Sequence, residues 1–292
     1  MNSSLDHSDY LVRPGSRVDL GKISTCSTGP FRNKQEAKQA LADDISDLRT
    51  AQAKLYASQK QAVLIIFQAL DAAGKDGTIK HVMSGVNPQG CTVHSFKAPN
   101  AEERLHHFLW RPTQFLPPRG MIAIFNRSYY EEVLVVRVHP KYLDNQFVPE
   151  TLRGAKLWRR RFSEINSYEA RLKEQGVTVI KFFLNVSKKE QKKRFLERLE
   201  NPEKHWKFSA ADVRERQHWD DYQKAFEQML SATSTKVAPW YVIPADKKWF
   251  MRACVAEIIT SRIADLKLNF PKVSTSQLEA LDEARGQLLA ED

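Results

Sequence analysis

Five short stretches of the chain are rich in apolar and β-branched residues: 62–67 (AVLIIF), 91–96 (CTVHSF), 121–125 (MIAIF), 177–186 (VTVIKFFLNV) and 240–243 (WYVI). Runs of this length without strict polar alternation predict strands covered on both faces, as in a parallel sheet. Helical patterns lie between them. Residues 31–60, opened by Pro30, set Leu41, Ile45, Leu48 and Leu55 at spacings of four, three and seven, one face of a long helix. Residues 149–175 predict a single basic amphipathic helix with Leu152, Leu157, Phe162, Ile165, Tyr168 and Leu172 on its apolar side. Residues 187–199 predict another, begun by Ser187 with Glu190 three positions on as a capping box. Further helices are predicted over 212–230 and 246–266. Strands alternating with helices predict an α/β domain, a five-stranded parallel sheet with helices on both faces.

The ends of the chain differ from its middle. Residues 1–30 are polar and dotted with serine and glycine, which predicts an extended arm or a partly ordered lead-in. The main domain is expected over 31–272, and 273–292 carries Leu278, Leu281 and Leu288 on a short, otherwise polar helix. Residues 201–208 (NPEKHWKF) form a basic and aromatic loop.

Charge narrows the function classes. Lysine and arginine number 45 against 35 acids, a formal +10 on 292 residues. Such a surplus points to an anionic partner: nucleic acid, a membrane surface, or an acidic small or polymeric substrate. No Lys/Arg block of the nucleic-acid-tail kind is present. No apolar run approaches the length of a membrane helix, and no secretory signal opens the chain. Cys26, Cys91 and Cys254 are few and far apart, which argues against a disulfide framework or a cysteine zinc site and for the cytoplasm.

The strongest chemical signal follows the first strand: 68–78 reads QALDAAGKDGT. A phosphate loop needs glycine where backbone N–H groups crowd a phosphate, a lysine that reaches the transferred group, and a helix N-terminus behind it. Gly74 and Lys75 supply the second glycine and the lysine. Ala69 stands where the first glycine is usual, and Asp76 where a Ser or Thr usually holds Mg²⁺. A second strand, 121–125, ends in Asn126-Arg127-Ser128, at the place where such enzymes set a Mg²⁺-organising acid. Asn126 can orient a metal-bound water through its carbonyl oxygen, or else Asn126 or Ser128 simply caps the next helix.

These segments, with FLWR at 108–111, FNRSYYEEVLVVRVH at 125–139, NPEKHWKF at 201–208 and APWYVIPADKKWF at 238–250, make the chain resemble the polyphosphate kinase 2 family from about residue 10 to about residue 272. The FNRS-YYEE-VLV form is similar to the subgroup termed class III, which accepts nucleoside mono- and diphosphates. The resemblance implies a three-layer αβα P-loop kinase core with a helical lid, here roughly 187–215. It also implies Mg²⁺-dependent transfer of a terminal phosphoryl group from inorganic polyphosphate to AMP or ADP, by a homo-oligomer, dimer or tetramer.

Both substrates are polyanions, so catalysis is mainly positioning and charge neutralisation. Lys75 and the 73–78 segment (Ala73, Gly74, Asp76, Gly77, Thr78) are expected to cradle phosphates. Asp71 is expected to hold Mg²⁺, and Arg127 to fork onto phosphate oxygens. Of the acids that follow, Glu131 matches the motif as a metal or nucleotide ligand, while Glu132 reads as a first-turn acid favoured by the helix dipole. Arg111, Arg198, Lys204 and Lys207 are expected along the polyphosphate path and lid, with Arg198 also catalytic; for each, the plain alternative is a solvated surface charge. Lys97 and Asn126 are expected near the acceptor nucleotide. Adjacent His106 and His107 diverge on a helix and cannot chelate one metal. Two other readings compete: a thymidylate-kinase-like enzyme with ATP as donor, and a basic nucleic-acid-binding module without chemistry. The lid and the charge favour a polymeric anion.

Overall fold

A computed structural model describes residues 5–146 and 148–291, apart from the side chains of Lys207 and Ala210. Five strands, β1 Ala62–Gln68, β2 Cys91–Ser95, β3 Ile122–Asn126, β4 Val177–Asn185 and β5 Trp240–Pro244, form one sheet in the order β2-β3-β1-β4-β5, with every pairing parallel. The helices are α1 Lys34–Ser58, α2 Lys75–Val82, the short turns α3 Ala101–Leu105, α4 Trp110–Thr113 and α5 Val135–Val138, then α6 Ala155–Glu174, α7 Lys188–Glu200, α8 Ala210–Glu215, α9 Trp219–Thr233, α10 Lys248–Ala264 and α11 Thr275–Leu289.

The period of two along β1 builds two cores. Val63, Ile65 and Phe67 pack with α1, α2 and α10, while Ala62, Leu64 and Ile66 pack with α6, α9 and the 3-10 turn Tyr129–Val133. The result is three layers, helix on sheet on helix, as the run lengths predict. β1 and β4 are buried at every position, but β2 is an edge strand with Thr92, Val93 and Ser95 exposed. After β1 the chain crosses to β2 on one side, and after β3 to β4 on the other. A crevice therefore opens between the carboxyl ends of β1 and β3, where doubly wound sheets bind ligands.

Three local expectations need correction. Residues 5–30 are no loose arm: Tyr10 and Val12 bond to Val242 and Trp240 along β5, and Leu5, Tyr10, Val12, Val18 and Leu20 are buried. The segment covers a sheet edge that would otherwise present unpaired backbone groups. The helix over 149–175 begins only at Ala155, because Gly154 (φ 87°) breaks it from a 3-10 turn at Glu150–Leu152. The helix over 212–230 is two, α8 and α9, separated by a 3-10 turn at Arg216–His218. Leu48 and Leu55 of the 31–60 stripe are buried in the core cluster shared with α10, so that stripe is covered within the chain. By contrast, α11 is exposed along its whole length.

Candidate active site

The loop between β1 and α2 lies at the mouth of the crevice. Gly74 caps α2 at φ 114°, in the left-handed region, and a β-carbon there would come within 3.0 Å of Met251 Cε. Only glycine meets both conditions. No side chain caps the start of α2, so the first-turn N–H groups and the positive helix end face the crevice without a side-chain acceptor. Two other residues that frame the site, Ala72 (φ 60°) and Arg127 (φ 63°), are also left-handed although neither is glycine. Such conformations persist only where the surroundings hold them.

For Ala72 the holder is Arg194 of α7. This buried guanidinium donates to the carbonyls of Ala72 (3.1 Å) and Ala73 (2.6 Å), and on its other branch to those of Ala245 (2.7 Å) and Asp246 (3.1 Å). Gln191, one turn earlier on α7, donates to the Asp71 carbonyl at 3.0 Å. The inner face of α7 thus clamps the phosphate loop to the end of β5. Sequence reading missed this. The available signal was Gln191, Arg194, Phe195 and Arg198 at helical spacing, a stripe too polar to read as buried.

Within the crevice Asp71, Arg127 and Glu131 converge. Arg127 Nη2 meets Asp71 Oδ1 at 2.5 Å, and its Nη1 lies 3.7 Å from Glu131 Oε2. Lys75 Nζ donates to the carbonyls of Ala69 (2.9 Å) and Leu70 (3.4 Å). Leu70, Leu134, Val135 and Phe226 give the wall an apolar part, and Asp212, Arg216, Trp219 and Tyr222 close it from the side of α8 and α9.

The two carboxylates are driven apart electrostatically. Burial works against the Asp71 anion, but Arg127 and Lys75 outweigh it and hold the carboxyl below its usual range. For Glu131 burial prevails over the same two cations, and its pKa is raised. Burial, reinforced by Arg127, lowers Lys75 to about 8, against the pull of Asp71 and Glu131. The Gln68 amide, oriented to satisfy both neighbours, donates to Glu131 Oε1 (2.9 Å) and accepts from the Ser128 N–H (3.0 Å).

The adjacent glutamates point to different partners. Glu131 lines the crevice, whereas Glu132 is buried against Arg161 (3.3 Å) and accepts from Gln146 (2.9 Å). Both stand on a 3-10 turn, not on the α-helix expected there. Beneath it, the hydroxyls of Tyr129 and Tyr130 each donate to Glu169 Oε1 at 2.7 Å, and Lys181 of β4 donates to Glu169 Oε2 at 2.6 Å. This fully enclosed network holds the turn that carries Glu131.

The remaining expected residues fall into three groups. Arg198 lies beside the crevice, 3.8 Å from Asp212, and close enough to lower the Asp71 pKa. Asn126 donates to Asp76 Oδ1 (2.7 Å), so its amide orients that exposed carboxylate at the start of α2. Gly77 stands in the first turn of α2. Others are turned elsewhere. Thr78 is buried, with its hydroxyl on the Gly74 carbonyl (3.0 Å), and the Ala73 N–H bonds to the Leu70 carbonyl (3.3 Å). Arg111 is engaged by Glu103 (3.0 Å), by the Lys97 carbonyl (2.7 Å) and by the Phe96 ring, away from the crevice. Lys97 and Lys204 are exposed, and the Lys207 side chain lies outside what is described. Asp212, Arg216, Trp219 and Tyr222 were not expected in the site; the break between α8 and α9 brings them in.

Comparison with known proteins supplies the rest. A family model described as Polyphosphate kinase 2 (PPK2) matches residues 32–271. The chain is 49% identical to an ADP-polyphosphate phosphotransferase of Rhodopseudomonas palustris, over 96% of this chain and 97% of that protein. It is 42% identical to an AMP/ADP-polyphosphate phosphotransferase of Meiothermus ruber, over 91% and 96%. Its structure is similar to that of polyphosphate kinase 2 from Arthrobacter aurescens TC1, with a TM-score of 0.85 and 40% identity over 94% of this chain and 95% of that one.

Proposed function

The chain belongs to the polyphosphate kinase 2 family, and from that premise we propose that it moves the terminal phosphoryl group of inorganic polyphosphate onto AMP and ADP, reversibly and with Mg²⁺. The observation that carries the reading is the convergence of Lys75, Arg127, Asp71 and Glu131 around an uncapped helix start at the carboxyl ends of β1 and β3. The attacking group is a phosphate oxygen, already anionic near neutral pH, so the step needs no general base. It needs two mutually repelling polyanions to be held in line.

The α2 N–H groups and Lys75 bind the donor phosphates. Lys75 exchanges its two loop carbonyls for phosphate oxygens, a stronger charge-assisted contact. Arg127, held by Asp71 and Glu131, presents its guanidinium to the phosphoryl group in transit. Arg198 adds positive charge from α7. Trp219, Tyr222 and the apolar wall suit a nucleoside on the acceptor side.

Asp71 and Glu131 fit Mg²⁺ as a pair of hard oxygen donors. No cluster of three or more acidic, histidine or cysteine side chains suited to a metal occurs among the described residues. The Asp71 and Glu131 pair suits an ion held by one or two carboxylates together with substrate phosphates. Asp71 and Glu131 would hold the ion, which would supply positive charge to offset the substrate phosphates.

The names of the relatives differ at the acceptor, ADP in one and AMP or ADP in the other. We assign both acceptors to this chain, with Glu131 setting the depth of the shorter one. No described helix is long and apolar enough to cross a membrane. The three free thiols support a reducing cytoplasm, and the exposed α11, with Leu278, Leu281 and Leu288 on its surface, supports a homo-oligomer. The test is nucleotide formation from AMP and from ADP with Mg²⁺, with and without long-chain polyphosphate and with no ATP added. Product that depends on polyphosphate is expected with both acceptors; turnover only with ATP would replace this reading by an ATP-using nucleotide kinase.

A further inference from the structure

A polymeric donor needs contacts beyond its reacting end, and two of the cations expected to supply them do not stand free. Arg111 is tied to Glu103 and the Lys97 carbonyl, and Arg198 faces Asp212. The other flank of the phosphate loop, formed by the first turns of α10, has cations in better position. Met251 packs against Gly74, and a β-carbon placed on Gly77 would lie 3.6 Å from Arg252 Nη2. Arg252 is thus beside the start of α2, and Arg194 is the charge that acts on it. Lys248 precedes it by one helical turn on the same face, about 6 Å along the axis.

Charge distinguishes this flank. Arg252 has no ion pair and no hydrogen-bond partner among the described residues, and its Nε is shut off from solvent. Lys248 has two acids near it, Glu197 at 4.0 Å and Glu190, and Glu190 is already paired with Arg194 (2.8 Å). Burial and the Arg194 charge pull both groups below their ordinary pKa, and Lys204, on the Pro202–Lys207 turn, adds to the repulsion at Lys248. Arginine and lysine gathered beside a helix N-terminus with little counter-charge form an arrangement that a linear polyanion relieves.

We infer that Lys248 and Arg252 form a track for the polyphosphate chain where it leaves the phosphate loop, gripping phosphates that do not react. The inference rests on polyphosphate being the donor. A donor too short to reach α10 should not feel these residues, and a long one should. The track adds donor affinity by holding several phosphates at once.

The experiment compares long-chain polyphosphate with tripolyphosphate as donor, at fixed ADP, in wild type, Lys248→Gln, Arg252→Gln, the double variant and Arg252→Lys. The expected result is a KM for long-chain donor raised about tenfold in the double variant, as two charge-assisted contacts are lost. The KM values for tripolyphosphate and ADP should hold within about twofold. Arg252→Lys should keep most of the long-chain affinity, and the affinity of the double variant should fall less steeply with salt. An unchanged long-to-short KM ratio in the double variant overturns the track. So does an equal loss on both donors together with a lowered Tm, which marks Arg252 as structural only. A wild type that uses no polyphosphate of any length removes the donor reading itself, an outcome the wild-type arm reveals before any variant is compared.

Discussion

Two lysines are buried among the described residues, and their surroundings give them opposite roles. Lys181, in the middle of β4, has three acceptors for its three hydrogens: Glu169 Oε2 (2.6 Å), the Tyr130 hydroxyl (2.8 Å) and the Thr233 carbonyl (2.8 Å). Its charge is balanced and its hydrogen-bonding capacity is filled. Lys75, at the first turn of α2, has two carbonyls of its own loop, and the acids near it are shared with Arg127. Neither lysine can be classified from burial alone. A buried cation with a complete shell is a strut; one whose partners are neutral and replaceable is poised for an anion.

The comparison breaks first at Lys181. Lys181→Met should leave Glu169 enclosed without its cation and lower stability by about 3–5 kcal/mol. Urea unfolding measures it; a loss below about 1 kcal/mol would show that water reaches the network. Lys75→Ala should do the reverse, with little change in the unfolding midpoint and at least about a hundredfold loss of transfer rate, ~2.7 kcal/mol of transition-state stabilisation. Retention of a tenth of the wild-type rate would sink the phosphate-loop role.

A smaller effect is expected at the carboxylate that Lys75 shares with Arg127. Glu131→Gln keeps the Gln68 contact but removes the charge. The AMP reaction should fall about tenfold and the ADP reaction no more than about threefold, since only the shorter acceptor leaves a gap of one phosphate to fill. Equal losses in separate initial-rate assays would refute the acceptor-depth role.

The mildest test is pH. Burial, with Arg127, lowers Lys75 to about 8 from 10.5, so the free enzyme loses this charge as pH rises through about 8. The KM for polyphosphate should climb above that pH while kcat at saturating donor changes little, because bound phosphate restores the proton. Between about 8 and 10.5 the unfolded chain holds more of this proton than the folded one, so the Lys75 share of stability rises with pH across that window. A KM flat from pH 7 to 9.5 would mean that Lys75 stays charged without ligand.

Much of this site is legible in the linear chain because its parts are local. The strand, Gly74-Lys75 and the helix behind them are contiguous, and so are β3 and the Arg127–Glu131 segment that follows it. The choice of Glu131 over Glu132 was legible only through a motif; physically it depends on Arg161 of α6 taking Glu132. Arg111 shows the same dependence: its sequence neighbours suit a phosphate path, while the fold supplies Glu103 and the Phe96 ring as its partners. Asp212 and Arg216 were hidden because a continuous helical pattern gave no sign of the turn at Arg216–His218.

The amino-acid order by itself determined the five strands, the full burial of β1 and β4, the phosphate loop and the family, since each depends on residues within a few positions of one another. Tertiary structure decided everything that depends on charge balance across elements. It placed Arg194 under the loop from α7, enclosed Lys181 with Glu169, fastened Tyr10–Val12 along β5 and set Arg252 beside Gly77. In each case the partners are too far apart in sequence for periodicity to reveal them. Whether a buried charge is compensated depends on which elements the fold brings to within a few ångströms of it.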